Sequence, residues 1–278
     1  MSMKEVIDQM TESISERVPR PESEYLGEDG LLHCAKCHKA VETLVKHPFT
    51  EETMKVRCIC ECRQKELSAI KEKDRQMELD RYKRVCFAET NMSDWTFEND
   101  DRKNPKLSDA MKNYVEHFPE LKKDGKGLLL YGSVGTGKTF LAACVANALL
   151  DKGYLVLMTN FASLTNKIQG MFEGKQEYIN SLNRYALLII DDLGVERKSE
   201  FMQEMVFNII DSRYRAGLPM IITTNLSADE IKNTKEIAYK RIYDRLIERC
   251  HPVPVEGESR RRRSLITEFE ETQKLLGL

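Results

Sequence analysis

The sequence predicts an α/β fold in which a parallel sheet flanked by helices follows a small metal-binding domain and a helix. From Gly127 onward, short apolar runs alternate with helical patterns, and strands separated by helices form parallel sheets with helices on both faces. Five of the eight cysteines lie between Cys34 and Cys62. Residues 1–20 lack a hydrophobic secretory core, so we expect a cytoplasmic location, where such a cluster indicates metal rather than disulfides.

Composition and charge describe an ordinary globular chain. Hydrophobic residues make up 41% and charged residues 32% of the sequence, and a net charge of −2 gives no global attraction to nucleic acid. No apolar run approaches the ~20 residues of a membrane-spanning helix. We predict strands at 127–131, 154–158, 187–190 and 220–224, an edge strand near 253–255, and helices at 63–85, 138–150 and 201–216.

The glycine-rich segment after the first of these strands matches the phosphate-binding pattern Gly-x-x-x-x-Gly-Lys-Ser/Thr. Glycines let backbone N–H groups approach anionic oxygens, Lys138 brings charge to the β- and γ-phosphates, and the Thr139 hydroxyl can bind Mg²⁺. The following helix directs its positive N-terminal end at the same phosphates. We therefore predict that ATP is bound by Gly132, Ser133, Val134, Gly135, Thr136, Gly137, Lys138, Thr139 and Phe140.

Polar side chains end two later strands of the predicted core, 187–190 and 220–224. Asp191 and Asp192 follow an apolar strand, which suits Asp191 to Mg²⁺ coordination through water and Asp192 to polarising the attacking water. The alternative is that this pair forms a turn or a helix cap. Asn225 ends the strand 220–224 and would orient the water near the γ-phosphate, or would instead cap the helix that begins near Ser227.

Further runs of residues narrow the class of protein. They are Thr96-Phe97-Glu98-Asn99, the glycine-rich loop with the apolar strand before it at 127–139, Leu-Leu-Ile-Ile-Asp-Asp-Leu-Gly at 187–194, Ile-Thr-Thr-Asn at 222–225, and Arg-Ile-Tyr-Asp-Arg at 241–245. Together they resemble the AAA+ ATPases, and within them the DnaC/DnaI-type replicative helicase loaders and the related IstB-like transposition ATPases. The resemblance extends from about residue 96 to the C-terminus.

The resemblance implies two further arginine roles. An arginine of one subunit completes the site of its neighbour, and motif position gives Arg241, with Arg245 the second choice. Both could instead belong to a solvated helix face paired with Asp244 and Glu248. A Gly-x-Ser-x-Arg pattern before the last helix makes Arg261 a nucleotide contact within the same subunit, although the run of arginines at 260–263 could serve DNA or solvent. The implied catalytic set is Lys138, Asp191, Asp192, Asn225 and Arg241.

The same resemblance implies that the helical stretch 161–185 is an insertion that contacts single-stranded DNA. The alternative is a plain helical connection between two parallel strands. Lysines and arginines would meet phosphates there, and aromatic rings would stack on bases. The candidate residues are Lys167, Lys175, Arg184, Phe172 and Tyr178.

The cysteine cluster predicts a structural Zn²⁺ site. Cys34 and Cys37 are spaced to hold one metal from a tight turn, and a second group of cysteines follows about twenty residues later. Four thiolates from Cys34, Cys37, Cys60 and Cys62 form the preferred set, with Cys58 in reserve. A histidine could replace one thiolate, and a redox cluster or an iron–sulfur site is the alternative to zinc. The candidate histidines are His33, His38 and His47.

These inferences combine into one functional hypothesis. Residues 1–86 would form a zinc-binding, partner-binding domain with a trailing helix, 87–126 a linker, and 127–278 the AAA+ domain. The resemblance implies an ATP-dependent loader that places a DnaB-type replicative hexameric helicase on single-stranded DNA and self-associates through its ATP site. Most AAA+ members have Glu where this chain has Asp192, so we expect slow ATP hydrolysis. The alternatives are an IstB-like transposition helper and a nucleotide-gated adaptor with negligible hydrolysis.

Overall fold

The computed structural model describes residues 23–47, 52–88, 90–194, 200–259, 269 and 272–277. The chain divides into two compact units, Met1–Met77 and Glu78–Leu278, with the boundary inside a long helix, α1 (Glu61–Cys86). The predicted helix 63–85 is confirmed in position. Each unit is described by itself.

In its described residues, the first unit contains two antiparallel strand pairs and the start of α1. Its described interior is one small cluster, made of Leu32, Cys34, Val41 and Cys60. An interior of this size buries too little apolar surface to hold a domain folded. The paired strands are β1 (Glu24–Leu26) with β2 (Leu32–Cys34), and β3 (Glu42–Lys46) with β4 (Thr53–Arg57).

The second unit contains a five-stranded sheet in the order β6-β7-β8-β5-β9, and every pairing is parallel. The predicted fold class is therefore confirmed. The bounds of three predicted strands needed correction: β6 lies two residues later than 154–158, β7 continues past residue 190, and β9 begins at Cys250, before the predicted 253–255. The strands are β5 (Gly127–Tyr131), β6 (Val156–Asn160), β7 (Leu187–Leu193), β8 (Met220–Thr224) and β9 (Cys250–Pro254).

Helices cover both faces of this sheet. Along β7, Leu187 and Ile189 belong to one buried cluster, while Leu188 and Ile190 belong to another on the opposite face. This alternation follows from the two-residue period of a strand and explains why the strand is apolar throughout. None of the described helices is long and apolar enough to cross a membrane. The helices are α2 (Pro105–Glu116), α3 (Phe118–Lys123), α4 (Lys138–Asp151), α5 (Phe161–Gln169), α6 (Lys175–Ser181), α7 (Glu200–Arg215), α8 (Ala228–Lys232) and α9 (Ile237–Arg249).

The segment 87–126, predicted as a linker, lies within the second unit. Asn104 caps α2 by accepting a hydrogen bond from the Leu107 N–H, and Pro105 occupies the first turn, where proline is tolerated. Met111 and Phe118 are fully buried in the cluster that also contains residues of α4. The functional division of the chain into three segments stays a prediction.

Candidate functional site

The site lies at the carboxyl edge of the sheet, where ligands bind in open parallel α/β folds. Strand β5 leads into the glycine-rich loop and α4, while Asp191 and Asp192 lie within β7 and Asn225 follows β8. Loop, carboxylate and amide residues line one cavity of about 240 Å³. The cavity is lined by Trp95, Val134, Gly135, Gly137, Lys138, Thr139, Phe140, Asp192 and Asn225.

The loop requires glycine at its turning points. Gly132, Gly135 and Gly137 all have positive φ, at 137°, 83° and 103°. A Cβ atom on Gly132 would also lie 2.6 Å from the carbonyl oxygen of Val255. The Lys138 ammonium donates hydrogen bonds to the carbonyl oxygens of Gly132 (2.8 Å) and Ser133 (2.7 Å). These two hydrogen bonds hold the Lys138 ammonium against the loop that would bind phosphates.

A hydrogen-bonded group at the foot of the loop has the ligand chemistry that Mg²⁺ prefers. The Thr139 hydroxyl donates to Asp191 Oδ1 over 3.0 Å, and the Thr223 hydroxyl donates to the same oxygen. Burial raises the pKa of Asp191, and the hydrogen bonds from Thr223 and Thr139 oppose that rise. Because the Thr139 proton is directed to a carboxylate, the hydroxyl lone pairs remain for a cation. Hydroxyl and carboxylate oxygens of this kind fit Mg²⁺.

Asp192 and Asn225 form a second polar pair at the cavity. Asp192 adopts φ +58°, and the Asn225 amide donates to Asp192 Oδ1 over 3.3 Å. Helix α8 is capped by Ser227, which forms a capping box with Glu230. The cap of α8 is therefore supplied without Asn225, whose amide lines the cavity instead.

Two residues of the pocket region were missed by sequence reasoning. Trp95 lines the cavity and its ring lies 5.8 Å from that of Phe140. The buried Asn147 amide of α4 donates to the carbonyl oxygens of Met92 (3.1 Å) and Trp95 (2.9 Å), and so holds this loop against the helix. A buried asparagine in an otherwise apolar helix was the available signal, because such a side chain needs partners.

A second cavity, also of about 240 Å³, lies on another side of the glycine-rich loop. The start of α2 and the loop residue Thr136 line it together with residues 256–259. Ser259 approaches the loop so closely that a Cβ on Gly135 would be 2.2 Å from the serine hydroxyl. Arg261, predicted to contact nucleotide, lies outside the described residues, as do the other arginines at 260–263.

The two candidate finger arginines on α9 have different surroundings, and neither lines the loop cavity. Arg245 Nε donates to Asp211 Oδ1 over 2.8 Å, and its guanidinium lies 4.6 Å from the centre of the Phe207 ring. Arg241 is exposed, and its side chain has no hydrogen bond or ion pair to any residue that the structure describes. Arg245 is thus engaged by residues of its own chain, whereas the exposed Arg241 side chain has no such partner among the described residues.

The candidate DNA contacts on the helical stretch 161–185 lie on α5, on α6 and on the loop between them, except for Arg184, which lies on a short 3-10 helix, Leu182–Arg184, after α6. Phe172, in that loop, is fully exposed. Lys167 lies over the Tyr178 ring at 5.6 Å, and Arg184 lies over Tyr185 at 4.9 Å. The Phe172 ring is therefore accessible from solvent, as a base-stacking role would require.

In the first unit, four cysteines form one cluster in which every pair of sulfur atoms lies within 4.8 Å. The Cys62 sulfur is 3.4 Å from that of Cys34, 3.2 Å from Cys60 and 3.5 Å from Cys37. A tetrahedron with Zn–S bonds of ~2.3 Å has edges of ~3.8 Å, so the arrangement fits four-thiolate zinc. Cys58 is not in the cluster, since it is exposed and its thiol lies 3.5 Å from the Ala40 carbonyl oxygen.

The surroundings shift the pKa values of two thiols of the cluster in opposite directions. Hydrogen bonds from the backbone N–H groups of Cys37 and Lys36 lower the pKa of Cys34 to about 6, helped by the thiol of Cys62. Hydrogen bonds with the thiols of Cys60, Cys34 and Cys37 raise the pKa of Cys62 to about 12. The Nε2 atom of His33 contacts Asp29, and the Nδ1 atom of His38 contacts Tyr25. Neither histidine belongs to the cluster, so four sulfur atoms are the donor set that the structure assembles.

The phosphate-binding loop on a parallel sheet, with carboxylates at the ends of its strands, defines a P-loop nucleotide-binding protein of the AAA+ class. Residues 40–267 match the family model described as IstB-like ATP binding protein, and the chain belongs to this family. The match confirms the family resemblance inferred from the sequence.

Individual relatives are helicase loaders. The chain is similar to the replicative helicase loader DnaI of Bacillus subtilis, with 28% identity over 167 residues, covering 56% of this chain and 52% of the relative. It is also similar to the replicative helicase loader DnaC of Escherichia coli K12, with 30% identity over 141 residues, covering 49% and 54%. The chain thus spans about half the length of the curated relatives it matches.

Two solved structures of helicase-loader proteins resemble this chain in fold. A crystal structure of DnaI matches with a TM-score of 0.51 at 24% identity, covering 61% of this chain and 92% of that one. The crystal structure of the DnaC helicase loader matches with a TM-score of 0.50 at 25% identity, covering 58% and 96%. The first of these likenesses supports the fold alone.

Proposed function

We propose that this protein is an ATP-dependent loader of a DnaB-type replicative hexameric helicase onto single-stranded DNA, acting in the cytoplasm. The observation that carries the proposal is a P-loop cavity with carboxylate and amide side chains, on a chain similar to two replicative helicase loaders. The similarity to the loaders covers about half of each relative. The P-loop cavity supports the ATP dependence of the proposed activity.

The ATPase cycle follows from the roles of the site residues. The loop N–H groups and Lys138 bind the phosphates, while Thr139 and Asp191 hold Mg²⁺, which when bound neutralises charge on the transferred phosphoryl group. Asp192 and Asn225 orient the attacking water. Hydrolysis by one subunit is slow, because the short Asp192 side chain holds that water less closely than a glutamate would. Slow turnover suits a switch between bound states.

A second subunit completes the site in this proposal. Arg241 reaches the neighbour's γ-phosphate, and its exposed guanidinium with no described partner supports the assignment. The engagement of Arg245 with Asp211 argues against the second choice. An Arg241→Ala variant would bind ATP normally and fail to hydrolyse it when assembled. Adding an excess of Lys138→Ala protein, which supplies Arg241 but binds no ATP, would restore turnover.

The remaining surfaces serve DNA and the helicase. Single-stranded DNA would bind along the insertion, with Phe172 stacking on a base and Lys167 and Lys175 meeting phosphates. Arg184 and Tyr178 remain candidates in the same region. The zinc module would bind the helicase, with four thiolates holding the shape of a unit that has few buried apolar residues.

The experiment that tests the loader is size-exclusion chromatography with light scattering. The full chain is mixed with the replicative helicase of its own source, in ATP and in ADP, and we expect co-elution with the hexamer in at least one nucleotide. Failure in both would contradict the loader and favour the transposition helper, whose family name the chain shares. If Asp192→Asn protein, which should bind but not hydrolyse ATP, loads helicase normally, the adaptor hypothesis replaces the enzymatic one.

A further inference from the structure

Strand β8 ends in two threonines that are fully buried, Thr223 and Thr224. A buried hydroxyl costs free energy unless it is hydrogen-bonded, so each of these side chains must serve a partner. Thr224 serves the backbone: its hydroxyl donates to the Leu193 carbonyl over 2.7 Å and accepts from the Leu226 N–H over 3.2 Å. The partners of Thr223 are different, and they belong to the nucleotide site.

Thr223 lies opposite an irregularity in the neighbouring strand. Strand β7 pairs with β8 at Ile190 with Ile222, and again at Leu193 with Thr224. Two residues of β7, Asp191 and Asp192, therefore face the single residue Thr223. Such a bulge interrupts the backbone ladder and re-aims a side chain.

The Thr223 hydroxyl replaces the interrupted backbone bond. It accepts a hydrogen bond from the Asp192 N–H over 2.9 Å. Asp192 has φ +58°, a left-handed conformation that non-glycine residues adopt at a cost, aspartate and asparagine more readily than most. The hydrogen bond from its N–H helps to stabilise that conformation, which brings the Asp192 side chain to the cavity beside Asn225.

The same hydroxyl fixes the other carboxylate. Its proton goes to Asp191 Oδ1, the oxygen that also accepts from Thr139. One buried oxygen atom thus accepts from the backbone of Asp192 and donates to the side chain of Asp191. Hydrogen-bond partners of this kind set the orientation of metal-binding carboxylates.

We propose that Thr223 is the positioning residue that holds Asp191 and Asp192 in their relative orientation for the Mg²⁺-bound nucleotide. The proposal rests on the proposed ATP-binding function and adds a residue outside the predicted site. Thr223 touches neither nucleotide nor the reacting atoms, and it acts through the two carboxylates.

The test compares Thr223→Val with Thr224→Val in the full chain. Both variants replace a buried hydroxyl by a methyl group of the same shape on the same strand, and only the first removes a partner of the carboxylates. Affinity for a fluorescent ATP analogue is measured in Mg²⁺ and in EDTA. We expect Thr223→Val to reduce the gain in affinity from Mg²⁺ by about tenfold and to leave the affinity in EDTA unchanged. Thr224→Val should keep the wild-type gain.

A second pair of variants separates positioning from folding. Thr223→Ser and Thr223→Ala both lack the methyl group and differ only in the hydroxyl, so serine should retain the Mg²⁺-dependent gain and alanine should lose it. Equal gains in serine and alanine, or equal losses in Thr223→Val and Thr224→Val, would overturn the role of Thr223. Wild-type protein that binds no ATP analogue in Mg²⁺ would overturn the proposed function as well.

Discussion

The cysteine-rich unit, Met1–Met77, and the sheet-containing unit, Glu78–Leu278, differ in what can hold them folded. The described interior of the first is a cluster in which two of the four members, Cys34 and Cys60, also belong to the four-cysteine cluster that could hold a metal. The second encloses its sheet between two apolar clusters, one on each face. Apolar burial can support the second unit, whereas the first needs additional cross-links, as small domains generally do.

The cysteines of the two units also differ in their surroundings. In the sheet-containing unit Cys86, Cys144 and Cys250 are fully buried, and burial raises the pKa of Cys86 and of Cys250 to about 12. In the first unit backbone N–H groups lower the pKa of Cys34 to about 6, whereas hydrogen bonds with the neighbouring thiols raise the pKa of Cys62 to about 12. Cysteine is therefore a buried, apolar side chain in one unit and part of a four-sulfur cluster that could hold a metal in the other, so a count of cysteines alone does not predict a metal site.

The largest effect is expected from removing one zinc ligand. Cys60→Ser should abolish stoichiometric zinc and unfold the first unit, because structural zinc sites contribute ~10–16 kcal/mol of binding free energy to folding. Zinc content by mass spectrometry and hydrogen exchange of residues 24–57 measure this. Cys58→Ser is the matched control and should retain both zinc and protection, since Cys58 lies outside the cluster. Loss of zinc in both variants would show that the ligand set is wrong.

Truncating a core side chain of the sheet-containing unit should destabilise that unit and leave the zinc content of the first unit unchanged. Leu149 on α4 is fully buried, and Leu149→Ala should lower the free energy of unfolding of the sheet-containing unit by about 2–5 kcal/mol. Denaturant unfolding followed by tryptophan fluorescence reports this unit specifically, because Trp95 is the only tryptophan of the chain. Zinc content should not change. A loss of zinc together with the fall in stability would contradict the separation of the two units.

The sequence predicted those parts of the sheet-containing unit that depend on local pattern. Apolar runs such as 127–131 and 187–190 coincide with strands because a strand covered on both faces reads as a nearly continuous apolar run. The glycine spacing of the loop predicted its conformation because the turning points have positive φ values, which few residues other than glycine adopt. Parallel strands bring their carboxyl ends to one edge, so the meeting of the loop with Asp191 also followed from order along the chain.

Long-range hydrogen bonds could not be predicted in this way. Thr223 was considered part of an apolar strand ending in Asn225, and nothing local reveals that its hydroxyl faces the bulge at Asp191 and Asp192. The selection of four cysteines from five likewise depends on how β2 and α1 approach each other, which spacing alone leaves open between Cys58 and its neighbours.

The smallest loss of stability is expected from Asn147→Ala. The Asn147 side chain supports the pocket by hydrogen bonds to the Trp95 loop and not by apolar packing. Asn147→Ala leaves the carbonyl oxygens of Met92 and Trp95 without their amide donor, and should lower the stability of the sheet-containing unit by about 1–3 kcal/mol. Because Trp95 lines the cavity, Mg²⁺ and ADP should change its emission in wild-type protein, and this change should shrink in the variant.

Asn183→Ala is the matched control for this comparison. Like Asn147, Asn183 has a buried side-chain oxygen without a partner among the described atoms, and its amide donates to the Ser212 hydroxyl, which does not line the cavity. It should lose stability and keep the full fluorescence response to ADP. An equal loss of response in both variants would mean that general softening of the unit, and not the position of the Trp95 loop, controls the pocket.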